Sequence, residues 1–122
     1  MNKFVGKHVV IAALLALAGF AASAQAADVA GNAKAGRGKV AMCIGCHGIP
    51  DYRTAYPEVY RVPILGGQNQ QYIENALHAY QKGDRRFQTM HAIAASLSEQ
   101  DIADIAAYYA AQTPSSKNNP DK

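Results

Sequence analysis

Two cysteines three positions apart, with a histidine directly after the second, restrict this chain more than any other feature: Cys43-Ile44-Gly45-Cys46-His47. Cys-x-x-Cys-His is the pattern of covalent c-type haem attachment. Two thiols add across the two vinyl groups on one edge of a porphyrin. Two residues let the backbone loop along that edge, and the histidine that follows lies under the iron. A chain marked in this way has to fold around a flat, largely apolar group. A thioredoxin-like redox pair would need a βαβ setting, and no strand-like alternation flanks residues 43–47. A structural zinc site would need four ligands, and His78 and His91 stand far off without a second paired motif. A disulfide between Cys43 and Cys46 would close a very small loop and leave His47 without a role.

The chain has 122 residues, enough for one small domain. Its first 26 residues read as a cleaved export signal. Lys3 and Lys7 make a positive start, residues 9–20 are apolar, and the small residues Ala22-Ser23-Ala24 and Ala24-Gln25-Ala26 fit an A-x-A cleavage rule. Twelve helical residues reach only ~18 Å of a ~30 Å hydrocarbon core, which argues against a retained anchor. The full chain carries 12 Lys and Arg against 9 Asp and Glu; loss of Lys3 and Lys7 leaves 10 against 9, a balance of +1. Two ionised haem propionates would make the loaded protein slightly negative, so the basic whole-chain charge does not point to nucleic acid. With no Trp and three Phe in the whole sequence, the core would be thin, and a buried porphyrin would supply the missing apolar mass.

The remaining chain reads as helices and one long loop. A first helix is expected over residues 32–42, capped by Asn32 and weakened by Gly36 and Gly38. Residues 48–68, with three prolines and three glycines, read as an irregular loop. A second helix runs from Asn69 or Gln70 to Lys82, with Tyr72, Ile73, Ala76, Leu77 and Tyr80 on one face and Gly83 as its stop. Residues 84–90 read as a polar loop, followed by a brief helical turn over residues 91–95. The last helix starts at the N-cap Ser98, with Glu99 and Asp101 in its first turn and Ile102, Ile105, Ala106 and Tyr109 as its buried stripe. No β-strand pattern stands out. The fold class is all-α, with one domain over residues 27–112 and a disordered polar tail over residues 113–122.

A second iron ligand decides between carrier and catalyst. Met42 adjoins Cys43 and cannot cross to the other face of the ring. His78 lies beside Leu77, off the centre of its helix's apolar face. Met90 and His91 follow a helix and leave the chain room to wrap round the ring, but adjacent residues do not both point inward easily. Met90 is the expected ligand and His91 the alternative. A thioether favours the reduced iron and raises the potential relative to bis-histidine.

These residues resemble the class I bacterial cytochromes c, most closely a single-haem cytochrome c553 or one half of a dihaem cytochrome c4. The resemblance covers roughly residues 32–112. It rests on residues 43–48, on Pro63-Ile64-Leu65-Gly66-Gly67-Gln68, on Met90-His91-Ala92-Ile93-Ala94, and on Ala106-Ala107-Tyr108-Tyr109. It implies the class I fold, with crossing N- and C-terminal helices that touch at Gly36 against Tyr108 or Tyr109, and one haem c in a crevice. It further implies thioethers at Cys43 and Cys46, His47 and Met90 on the iron, a Pro63 carbonyl accepting from His47, and Gln68 and Tyr72 in the haem pocket. Tyr52, Tyr56 and Tyr60, in an unusual loop, are read as packing on the porphyrin.

The implied function is a periplasmic electron carrier, not an enzyme. Its donor would be a quinol-oxidising complex or a dehydrogenase, and its acceptor a terminal oxidase or reductase. Lys82, Arg85 and Arg86 could steer an acidic partner. The alternatives are a haem subunit of a larger oxidoreductase complex, or a catalyst or gas sensor with an open iron.

Overall fold

In a computed structural model, the structure describes residues 29–113 and residue 116. The expected signal and most of the expected tail lie outside them. Among the described residues, five helices and one small hairpin follow in order: α1 (Ala33–Arg37), α2 (Ala41–His47), β1 (Arg53–Thr54), β2 (Tyr60–Arg61), α3 (Gln70–Lys82), α4 (Gln88–Ala95) and α5 (Glu99–Ala110). No helix among the described residues is long and apolar enough to cross a membrane.

Three helices begin at side-chain caps, and one of them also ends at a marked stop. Asn69 Oδ1 accepts from the Tyr72 N–H at 3.0 Å, and Gly83 closes α3 in the left-handed region at φ 82°. Ser98 and Asp101 form a reciprocal capping box at the start of α5. Asn32 caps α1 by accepting from the N–H groups of Lys34 and Ala35.

Three expectations need correction. The first helix is two: α1 ends at Gly38, the chain turns through residues 38–40, and α2 restarts on Val40 and carries the Cys-x-x-Cys-His run itself. Glycines at 36 and 38 remove enough helix preference for tertiary contacts to decide the break. The long loop contains an antiparallel pair, Arg53 opposite Arg61 and Thr54 opposite Tyr60. The Thr54 hydroxyl closes its turn on the Glu58 carbonyl at 3.0 Å. Finally, α4 starts at Gln88, so Met90 is helical and not in a loop.

Helix α5 is the centre of the core. Residues 102–109 are all buried, not only the expected stripe, because α1 covers one side and α3 another. The first- and last-helix contact is close. A Cβ placed on Gly36 would overlap the Asp104 carbonyl and stand 2.8 Å from the Tyr108 Cβ, which makes Tyr108 the aromatic at this contact.

The same contact holds a polar knot that the helix pattern did not announce. Asp104, 2% exposed, accepts from the Asn32 N–H at 2.8 Å, Gln100 Nε2 at 2.9 Å and Lys39 Nζ at 2.7 Å. Lys39 also meets Asp101 at 2.8 Å. Bonding to Lys39 first, and then to the other donors, holds both carboxyls below the usual range. Lower folded pKa values mean stability that is complete above the ordinary carboxylate pKa of ~4 and is lost as pH falls through the folded values. Thermal melts should therefore show Lys39→Met less stable than the native chain at neutral pH, with the gap narrowing steadily below about pH 4. A gap independent of pH would remove this ion pair from the account.

Candidate functional site

All seven residues expected at the site line one cleft of about 310 Å³. Cys43, Cys46 and His47 come from α2. Pro63 and Gln68 come from the segment after β2, Tyr72 from α3, and Met90 from α4. Between them the walls are mainly apolar, with Val62, Leu65, Ile73, Leu77 and Ile93.

The Cys-x-x-Cys-His run is helical rather than looped along its edge. Spacing of three places Cys43 and Cys46 on one face of α2, and spacing of four brings His47 beside Cys43. No disulfide joins Cys43 to Cys46. A Cβ on Gly45, between them, would meet nothing within 4 Å, so the outer side of the turn is open. Burial pushes the Cys43 thiol up, with the nearby Tyr109 hydroxyl opposing.

His47 is 8% exposed, and its Nδ1 lies 2.7 Å from the Pro63 carbonyl. A carbonyl only accepts, so Nδ1 carries the proton and donates, and Nε2 keeps its lone pair free. Burial lowers the His47 pKa and so favours this neutral ring, although the Pro63 bond works the other way. A buried imidazole with one nitrogen tied to a carbonyl and the other available is the chemistry of a metal-binding histidine.

Helix α4 separates the two candidates for the second ligand. Met90 lines the cleft and packs against the core. His91 is exposed, absent from the cleft wall, and its Nδ1 lies 2.6 Å from the Tyr80 carbonyl. His78 faces Glu99 at 3.3 Å and Gln81 at 3.2 Å, away from the cleft. Met42 stands at the rim, 65% exposed, on the same helix as His47.

The residues therefore fit a porphyrin. Two thiols sit on one helical face, the imidazole tautomer is fixed, a thioether arrives from a separate helix, and the walls between are apolar. Among the described residues no cluster of three or more His, Cys, Asp or Glu is placed to hold a bare metal ion.

Tyrosine packing needs correction. Only Tyr60 of the three loop tyrosines reaches the cleft; Tyr56 is 80% exposed and Tyr52 is not on the wall. Thr54, Arg85, Phe87 and Ile93 line the cleft and were not anticipated. Phe87 meets Tyr60 at a ring separation of 5.2 Å, which ties the hairpin to the start of α4. The sequence marked Arg85 only as part of a basic cluster, since an arginine after a helix stop reads as solvated and not as part of a cleft wall.

Residues 33–111 match the family described as Cytochrome c. The chain is similar to cytochrome c-554(548) of Halomonas halodenitrificans, at 42% identity over 86 residues, covering 68% of this chain and 99% of that one. It is also similar to cytochrome c4 of Pseudomonas aeruginosa, at 41% identity, covering 70% of this chain and 41% of the relative. In the crystal structure of reduced recombinant cytochrome c4 from Pseudomonas stutzeri, the match has a TM-score of 0.56 and 36% identity, and covers 69% of this chain and 47% of that one. The chain thus spans nearly all of the first relative and less than half of the cytochromes c4.

Proposed function

The chain belongs to the cytochrome c family and is a single-haem electron carrier, not an enzyme; from this we propose that Cys43 and Cys46 form the thioethers to its covalent haem c, and His47 and Met90 bind the iron. The haem supplies a one-electron couple. The protein supplies the rest. The Pro63 carbonyl orients His47, and apolar walls keep water away. Met90 fills the position that a substrate would otherwise take, which suits a carrier and not a catalyst. Pro63, Gln68 and Tyr72 complete the pocket wall. The observation that carries this reading is the meeting of Met90, from α4, with the Pro63-anchored His47 on a single cleft.

The working place is the periplasm, after removal of residues 1–26. The donor is a quinol-oxidising complex or a dehydrogenase, and the acceptor a terminal oxidase or reductase. Contacts with them are small and brief. A second reading, a haem subunit held in a larger complex, is favoured by one observation: Tyr56 and Val59 of the hairpin stand largely exposed, a patch with apolar character.

Export of the full chain, followed by intact mass, visible spectroscopy and redox titration, tests the proposal. The expected product starts at Ala27, is heavier by one haem and gives one reversible one-electron wave. Free thiols at Cys43 and Cys46 would overturn it. Elution as a monomer favours the free carrier, and co-elution with a stoichiometric partner favours the subunit.

A further inference from the structure

Arg85 is exposed, and its side chain lines both the cleft and the outer groove beside it. Among the described residues it is the only Lys or Arg on the cleft wall, and no Asp or Glu lines that wall. Among the described residues no carboxylate pairs with it. Its position is built rather than incidental. Gly83 in the left-handed region turns the chain back after α3, and the Arg85 N–H donates to the Ala79 carbonyl at 3.1 Å. The side chain then folds over α3. One guanidinium nitrogen donates to the Tyr72 hydroxyl at 3.1 Å, and the group lies 5.6 Å from the Tyr72 ring centroid and 5.4 Å from that of Tyr80. Two aromatic faces and a hydroxyl hold a planar cation, with most of its five N–H donors uncommitted.

Resting on the haem reading above, we infer that Arg85 is the counter-ion that receives the haem's propionate carboxylates in the cleft. A guanidinium recognises a carboxylate through two parallel hydrogen bonds, and the loaded cleft would otherwise hold anionic groups against walls with no other fixed cation. Tyr72 acts as a positioning residue by holding the guanidinium in place. The adjacent Arg86 has the same charge but lines only the outer groove beside Glu58 and His91, not the cleft. It is the natural control. The other titratable groups facing the cleft are Cys43, Cys46 and His47 from α2, Tyr60 from the hairpin, and Tyr72 and Tyr80 from α3. Asp84, Arg86 and Lys82 flank Arg85 on its own segment.

The exported holoproteins Arg85→Gln, Arg85→Lys, Tyr72→Phe and Arg86→Gln test this, after haem content and the sulfur-ligand absorption band confirm loading and ligation. The midpoint potential is followed against pH, and the propionate bending mode is read by resonance Raman. Arg85→Gln should lower the neutral-pH midpoint and raise the pH of the propionate-linked inflection by about one unit or more. Its Raman mode should shift as well. Tyr72→Phe should move both readouts the same way by less, which keeps the test open if Arg85→Gln fails to load. Arg85→Lys should restore the midpoint but not the Raman mode, and Arg86→Gln should leave both unchanged. Superimposable profiles for the native, Arg85→Gln and Tyr72→Phe proteins, or equal shifts at Arg85 and Arg86, would overturn the inference while leaving the haem reading intact. A native chain without haem would overturn both.

Discussion

Met90→Ala is expected to lower the midpoint potential on the order of 0.2 V, a modest part of the ~0.8 V that axial ligands span. The reason is chemical softness. A thioether stabilises ferrous over ferric iron, and nothing else on the cleft wall can take its place. His91 is held outward by the Tyr80 carbonyl, and Met42 belongs to the same helix as His47. The position would stay open or take water. Ferric protein should lose the weak charge-transfer band of a sulfur ligand, and cyanide and CO should bind more readily than to the native protein. Removing a partly buried methionine also costs packing, up to ~2 kcal/mol, so the melting temperature should fall as well. His91→Ala and Met42→Ala should leave the spectrum and potential as they were. If Met90→Ala kept the native band while Met42→Ala lost it, the sulfur ligand would be Met42, and α4 would be only a wall.

How far the sequence foretold this site follows from which signals were local. The attachment run is local: three residues, two Cys and one His, in one order define the chemistry. Helices α3 and α5 were legible because side chains mark their ends, Asn69 and Gly83 for one, Ser98 and Asp101 for the other. Both misplaced helix starts lack that mark. Val40 before α2 and Phe87 before α4 make no side-chain cap bond, so nothing in the local sequence announced them, and Met90 was read as a loop residue. The hairpin was invisible for another reason. Two-residue strands are too short to show alternation. Complete burial around α5, Asp104 included, depends on α1 and α3 arriving on its flanks, which is tertiary information. Arg85 reaches the cleft only because Gly83 turns the chain back, and a turn's direction is not written in residue type.

Gly36→Ala should be among the most damaging small substitutions in the fold. Alanine improves intrinsic helix preference by up to ~1 kcal/mol over glycine, and on that ground alone the change would help. The neighbourhood reverses the sign. The added methyl would overlap the Asp104 carbonyl, which is backbone, and sit 2.8 Å from the Tyr108 Cβ. Neither can swing aside, so α1 would have to move off α5. That movement strains the Asn32 and Lys39 bonds to Asp104, at 2.8 and 2.7 Å. Overpacking of this kind costs about 1–3 kcal/mol before such losses. A net loss of about 2 kcal/mol corresponds to roughly 10 °C in a domain of this size. Gly38→Ala is the matched control, two residues away. Its Cβ would meet only the Ala35 carbonyl at 3.6 Å, an ordinary contact, and its backbone is already right-handed helical at φ −75°. It should be neutral or stabilising by up to about 1 kcal/mol. Thermal unfolding of the two holoproteins side by side decides the matter. Were Gly36→Ala to melt no earlier than Gly38→Ala, the tight crossing of the first and last helices could not be what holds this fold shut around its cleft.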